Sequence, residues 1–161
     1  MNPAPAALVR AVPLLRCPHC GFGVESTGSG VECGGGHSFD RARGGHLTLL
    51  GARGRRFPGD SAEQVAARER VLGHGLFDGV ADALVGVAAD AVGAAERPVV
   101  LDAGAGTGFY LDRVIGALRT TSPVDGDATG GSGQPLGIGT ELSVAAARRL
   151  ARANPLVAAL V

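Results

Sequence analysis

Cys17-Pro-His-Cys20 and, twelve residues on, Cys33-x3-His37 place three thiols and an imidazole in two close pairs. Two ligand pairs on tight turns can close a tetrahedron around zinc, and thiolates suit zinc better than magnesium or calcium. Gly21 and Gly34–Gly36 allow the backbone to turn sharply beside each pair. The chain has 3 cysteines, so a disulfide framework would leave one over. Unrelated buried thiols are one competing reading. A redox Cys-x2-Cys is another, but it leaves Cys33 and His37 without a role. Four protein ligands leave zinc no open position, so the expected site is structural and does not activate water. His19 and His46 fall outside it. The first is expected in a solvated turn, the second in packing or at the surface.

A second constellation is Asp102-x-Gly104-x-Gly106-Thr107-Gly108, which follows the apolar run Pro98–Leu101 and opens a helical stretch. Glycines remove the side chains that would keep a ligand off the backbone. The helix N-terminus beyond offers free N–H groups. An acid at the strand end can orient the loop or accept from a ligand amine. The third glycine comes one residue earlier than in the dinucleotide fingerprint. Alternating glycines after an acidic strand end resemble motif I of class I S-adenosylmethionine-dependent methyltransferases. In that family the next strand ends in an acid that takes the ribose hydroxyls, and Glu141 stands after the run Leu136–Thr140. A carboxylate accepts two hydroxyl hydrogen bonds better than a neutral group does. A structural turn, a nicotinamide-dependent oxidoreductase and, for Glu141, a solvated surface acid are the alternatives.

These residues need elements to hold them. Residues 1–52 are rich in glycine and turn residues and read as a small zinc-binding module, with short strands at Gly30–Cys33 and His46–Leu50. A piece of that size cannot hold a core alone, and a metal would supply the missing stability. Residues 53–96 read as a basic and helical linker. Asp60 or Ser61 caps a helix running to Leu72, and Ser61 with Gln64 fits a capping box. A second helix from Phe77 to Val92 is expected to bury Val80, Leu84, Val87 and Val92 on one stripe. Residues 97–161 read as strand, glycine turn, helix from Gly108 to Leu118, loop 120–135, strand Leu136–Thr140, helix Ser143–Ala153 and strand Leu156–Val161. Pro98–Leu101 is expected to be a buried parallel strand. The fold class is α/β: a zinc module, a helical linker and the first half of a Rossmann-like sheet.

The chain has 161 residues, which fits one ordinary domain or a small module plus part of a larger one. With 45% hydrophobic residues but only 4% aromatic, Val, Leu and Ala must fill the core. All 15 basic residues are Arg, and formal net charge is zero. Charge distribution is therefore more telling than its total. Arg41, Arg43, Arg53, Arg55 and Arg56 fall in one stretch without an acid, next to the cysteines. Prolines and Arg10 break the mildly apolar opening, which argues against a signal peptide. No stretch reaches the ~18 apolar residues of a membrane helix. The expectation is a cytoplasmic protein without a membrane partner.

Zinc ligands, arginine stretch, helical linker and glycine loop occur in an order that resembles the bacterial 23S rRNA (guanine-N1)-methyltransferases of the RlmA type. That family includes macrolide-resistance members. The carriers are Cys-Pro-His-Cys at 17–20, Cys33 to His37, Ser38-Phe39-Asp40, Pro58-Gly59-Asp60-Ser61-Ala62-Glu63 and Leu101-Asp102-x-Gly104-x-Gly106-x-Gly108. The resemblance covers nearly the whole chain. It implies zinc at the four ligands and S-adenosylmethionine at Gly106, Thr107 and a linker aromatic, usually Tyr. Phe77 holds that position here and keeps the stacking face without the hydroxyl. It implies methylation of guanine N1 in a 23S rRNA hairpin loop, with the zinc module and the five arginines holding RNA phosphates. It also allows a homodimer. A solvated basic face is the plain alternative for the arginines. The family's catalytic domain needs about seven strands and three are legible here, so the sequence reads as a truncated form with no catalytic base to name. A catalytically inactive zinc-containing RNA-binding protein is the alternative function.

Overall fold

The computed structural model describes residues 4–51, 59–121 and 133–161. The first module is an antiparallel meander of β1 (Val24–Ser26), β2 (Gly30–Cys33) and β3 (Ser38–Asp40). Its register pairs Val24 with Cys33 and Val31 with Phe39. Side chains alternate along a strand, so these four share the inner face, and all are buried. Ahead of the meander lies α1 (Ala6–Ala11), which buries Ala7, Leu8 and Ala11. The sequence pattern showed no helix there. A helix of six residues is too short to announce itself by periodicity, and packing is what holds it.

The second sheet is parallel, ordered β4 (Val99–Ala103), β5 (Leu136–Thr140), β6 (Val157–Leu160). Helices α4 (Phe109–Thr121) and α5 (Val144–Ala153) cover one face, where Leu111, Ile115 and Leu150 meet Val157 and Ala159. The opposite face is covered by α1 and the zinc module. Leu136, Ile138, Ala158 and Leu160 join Leu8, Val31, Phe39 and Leu47 in one buried cluster. The metal-bearing module and the sheet therefore share a core.

That arrangement corrects one expectation. β4 is parallel as expected, but Val99 is 47% and Leu101 65% exposed. Both stand on the face that α1 and the zinc module cover only over β5 and β6. The run 46–50 also differs from the expected strand. Instead of a ladder it makes a parallel bridge from Leu47 to Leu160 and an antiparallel bridge to Arg41. The Leu47 amide donates to Ala159 O at 3.0 Å, and the Val161 amide donates to Leu47 O at 2.9 Å. The last described residues of the zinc module thus cover the β6 edge.

Helix α2 (Ala62–Gly73) begins with the expected capping box between Ser61 and Gln64. It breaks by 84° into α3 (Asp78–Val92), and no single described helix is long and apolar enough to cross a membrane. The expected α3 stripe is corrected. Val80, Leu84 and Val87 are exposed, while Ala81 is buried and Val85, Ala88 and Val92 are half-buried. Helix α3 is apolar on almost every side, so hydrophobic spacing could not choose between two neighbouring stripes. The loop expected at 120–135 falls largely on residues 122–132, outside the described residues.

Candidate functional site

The four metal-ligand candidates converge. Cys17 precedes a turn in which the Gly21 amide donates to Cys17 O at 2.8 Å and the Cys17 amide donates to Phe22 O at 2.8 Å. Cys33 ends β2 and His37 precedes β3, so the hairpin between those strands carries the second pair. Gly21 and Gly36 have positive φ, 74° and 78°. The ligand atoms of Cys17, Cys20, Cys33 and His37 all lie within 4.8 Å of one another. Sγ of Cys20 and Cys33 are 3.6 Å apart, and Nδ1 of His37 is 3.6 Å from Cys17 Sγ and 3.4 Å from Cys33 Sγ.

Those separations fit zinc. Tetrahedral bonds of about 2.3 Å to sulfur and 2.0–2.1 Å to nitrogen put S–S edges near ~3.8 Å and S–N edges near ~3.6 Å. The backbone leaves room for the ion as well. A Cβ on Gly35 would stand 3.3 Å from Cys20 Sγ and 3.5 Å from His37 Nδ1. Burial pushes the Cys33 thiol up, but hydrogen bonds from the His37 amide and ring and from Gly35 outweigh it and bring the thiol to about 6. The Phe22 amide favours the Cys20 thiolate, yet burial and the neighbouring thiols leave that group above its ordinary value. His19 is exposed as expected, yet its ring packs 4.9 Å from His37 and 5.9 Å from Phe39. His46 is 2% exposed and belongs to the packing.

The glycine loop lies at the carboxyl ends of β4 and β5. Amides of Gly104 and Ala105 both donate to Thr140 O, at 2.9 and 3.0 Å. Glu141 follows β5 directly. Its Oε2 accepts from the Gly106 amide at 2.9 Å, and its Oε1 accepts from the Ser143 amide at 2.7 Å. Burial raises the Asp102 carboxyl above its ordinary value, and the Glu141 charge adds to that. Gly104 (φ 87°) and Gly106 (φ 57°) border open space, with nothing within 4 Å of where a Cβ would stand. Two acids and an uncovered glycine backbone at one sheet edge fit a ligand that carries hydroxyls and positive charge.

Gly108 has a different reason to be glycine. A Cβ there would stand 2.6 Å from Leu150 Cδ1, so this position serves the packing of α5 on the loop. Thr107 and Gly108 line a small cleft of about 150 Å³ with Glu69, Leu72 and Phe109. Phe77 is half-buried just before α3, and its neighbour Asp78 pairs with Arg113 of α4 at 2.5 Å. Arg41 is half-buried at the end of β3 and Arg43 is exposed. Arg53, Arg55 and Arg56 lie outside the described residues.

Sequence reasoning took Ser143 only as a helix cap. It is one, accepting from the Ala146 amide at 3.2 Å. It also donates its hydroxyl to Asp60 O at 2.7 Å while its amide holds Glu141. The signal was present in the spacing Glu-x-Ser before a helix, which sets a carboxylate over the first free amide.

Comparison with known proteins turns this geometry into a relationship. The zinc-ribbon family described as "RlmA, N-terminal" matches residues 15–56, which hold all four ligands. A protein of Streptomyces fradiae named 23S rRNA (guanine(748)-N(1))-methyltransferase is 34% identical over 150 residues, 93% of this chain and 48% of its own length. A protein of Micromonospora griseorubida, provisionally named 23S rRNA (guanine-N(1)-)-methyltransferase, is 37% identical over 166 residues, 93% of this chain and 51% of its own. The chain is similar to the N-terminal part of these methyltransferases. It spans about half the length of the curated relatives it matches. The matched family accounts for the zinc ribbon.

Proposed function

We propose that this chain carries the zinc-ribbon and cofactor-binding parts of an S-adenosylmethionine-dependent rRNA methyltransferase that modifies N1 of a guanine in a 23S rRNA hairpin loop. The observation that carries the reading is the glycine loop after β4 set against Glu141 after β5. Glu141 is already oriented by two amides, and a carboxylate has further lone pairs to accept ribose hydroxyls. Asp102, held above its ordinary value by burial and by Glu141, faces relief from a positively charged ligand. S-adenosylmethionine, when bound, supplies a methyl group on a sulfonium. This chain's part is positioning: bringing cofactor and guanine N1 into line recovers much of the barrier that encounter in solution would present.

Zinc would be held by Cys17, Cys20, Cys33 and His37 as a closed structural site. Arg41 and Arg43, with Arg53, Arg55 and Arg56 farther on, supply charge for RNA phosphates, which gives affinity without sequence choice. A base in a hairpin loop is already partly unstacked, so presenting it is inexpensive.

The decisive experiment mixes the zinc-loaded chain, S-adenosylmethionine and a 23S rRNA hairpin transcript and reads the product by primer extension. N1-methylguanine cannot form a Watson–Crick pair, so a stop at one guanine is expected. Salt-dependent hairpin binding with no stop would favour an RNA-binding protein without catalysis.

A further inference from the structure

The zinc module carries a cleft that none of the preceding roles uses. It is an open cleft of about 370 Å³, lined by His19, Ser38, Phe39, Asp40, Thr48 and the Leu50–Gly51 pair. That is the small end of ligand-pocket volumes, which run from about 300 Å³. Its lining is mixed. His19 and Phe39 supply ring surface, their planes only 13° apart. Ser38 and Asp40, both exposed, and Thr48, half-buried, are the polar residues of the lining. The backbone at Gly51 comes so near the His19 ring that a Cβ would stand 3.1 Å from Cε1. The ring is thus bounded by Phe39, by His37 and by residue 51.

Position ties this cleft to the sheet edge that holds the glycine loop. Residues 47–50 run parallel to β6 along its free edge, with Leu49 and Leu50 amides donating to Val161 O. Leu50 and Gly51 therefore lie toward the carboxyl ends of the strands, as do Asp102, Gly106 and Glu141. Three strand spacings separate that run from β4, or roughly 14 Å at about 4.8 Å each. One RNA loop can reach both places.

We propose that this cleft holds a single unstacked guanine base of the RNA, other than the one presented for methylation. The base packs against the part of His19 left exposed beside Phe39 and His37, as single-stranded bases pack on aromatic rings in RNA recognition. Asp40 selects it. A carboxylate only accepts, and guanine offers two adjacent donors, N1–H and the 2-amino group. Adenine and cytosine put an acceptor beside their one amino group. Uracil flanks its single N–H with two carbonyl oxygens. Ser38 and Thr48 can donate or accept and complete the edge. With its N1 edge taken by Asp40, this base is a recognition contact and not a substrate. The inference rests on the RNA-binding reading above.

The test titrates the isotopically labelled, zinc-loaded chain by NMR with guanosine, inosine, adenosine and uridine monophosphates and with inorganic phosphate. Saturable shifts confined to residues 19, 38–40 and 48–51 are expected with the guanosine nucleotide, about tenfold tighter than with inosine, which lacks the 2-amino donor. Asp40→Asn should erase that preference and His19→Ala should weaken every nucleotide, both with one zinc retained per chain. Thr48→Val, a conservative change of shape, covers the case in which His19→Ala disturbs the module. The same shifts from phosphate alone, equal binding of all nucleotides, or no shifts at millimolar concentration would each overturn the proposal. Hairpin binding by the unmutated chain, measured in parallel, separates the two levels. Its loss refutes the RNA-binding reading, whereas its persistence without a guanine-selective cleft refutes this inference alone.

Discussion

Glu141 accepts from the Gly106 amide at 2.9 Å, which ties the end of β5 to the glycine loop after β4 across 35 residues of sequence. The same carboxylate caps the approach to α5 through the Ser143 amide. One side chain thus fixes the loop, the helix start and the site of the expected ribose contact. Glu141→Gln keeps the shape but turns one acceptor oxygen into a donor that faces an amide. S-adenosylmethionine binding should weaken at least tenfold, about 1.4 kcal/mol. Calorimetry on both chains checks this, and unchanged affinity would remove Glu141 from the cofactor site.

Asp102 gives a prediction in pH. Burial and then the Glu141 charge hold its carboxyl above the ordinary value. Between the ordinary and the raised value the folded chain holds more protons than the unfolded one, so stability falls as pH rises through that window. Asp102→Asn removes the effect. The variant should melt higher than the parent at neutral pH, the gap closing as pH falls below the ordinary carboxylate range. Its affinity for S-adenosylmethionine should drop. Melting curves from acid to neutral pH that run parallel for the two chains would contradict this.

The linker meets the start of α5 at Ser143. Its hydroxyl donates to Asp60 O, and Gly59 lies so close that a Cβ would stand 2.5 Å from Ser143 N, at a φ of 67°. Ser143→Ala loses a helix cap and a buried contact and should cost about 1–2 kcal/mol. Gly59→Ala meets backbone instead of a yielding side chain and should cost more than about 1 kcal/mol. Urea denaturation measures both.

Zinc removal tests the first module. Its buried residues belong to the same cluster as Leu136, Ile138, Ala158 and Leu160 of the sheet, so chelation should lower the melting temperature of the whole chain. One zinc per chain is expected by atomic emission. Cys33→Ser should lose the metal and Gly35→Ala should weaken it, because its Cβ intrudes beside Cys20 and His37. A chain that melts identically with and without chelator would show that the module needs no metal.

Local chemistry was what the sequence showed most clearly. The zinc ligands are close in sequence in pairs, so spacing alone implied their convergence, and β2 and β5 fall where glycine and turn residues bound short apolar runs. The capping box at Ser61 and the Ser143 cap rest on contacts three residues apart and were readable for the same reason. Contacts set by long-range packing were hidden. Nothing local says that residues 47–50 join β6, that α1 covers β5 and β6, or that Ser143 meets Asp60. Helix α3 failed differently, since its apolar residues surround the axis and packing against α4 decides which side turns inward.

The most direct measurement is isothermal titration of S-adenosylmethionine into this zinc-loaded chain. Saturable heat at one cofactor per chain is expected, lost in Glu141→Ala while the zinc content stays at one. No saturable heat from a folded, zinc-loaded chain would contradict it.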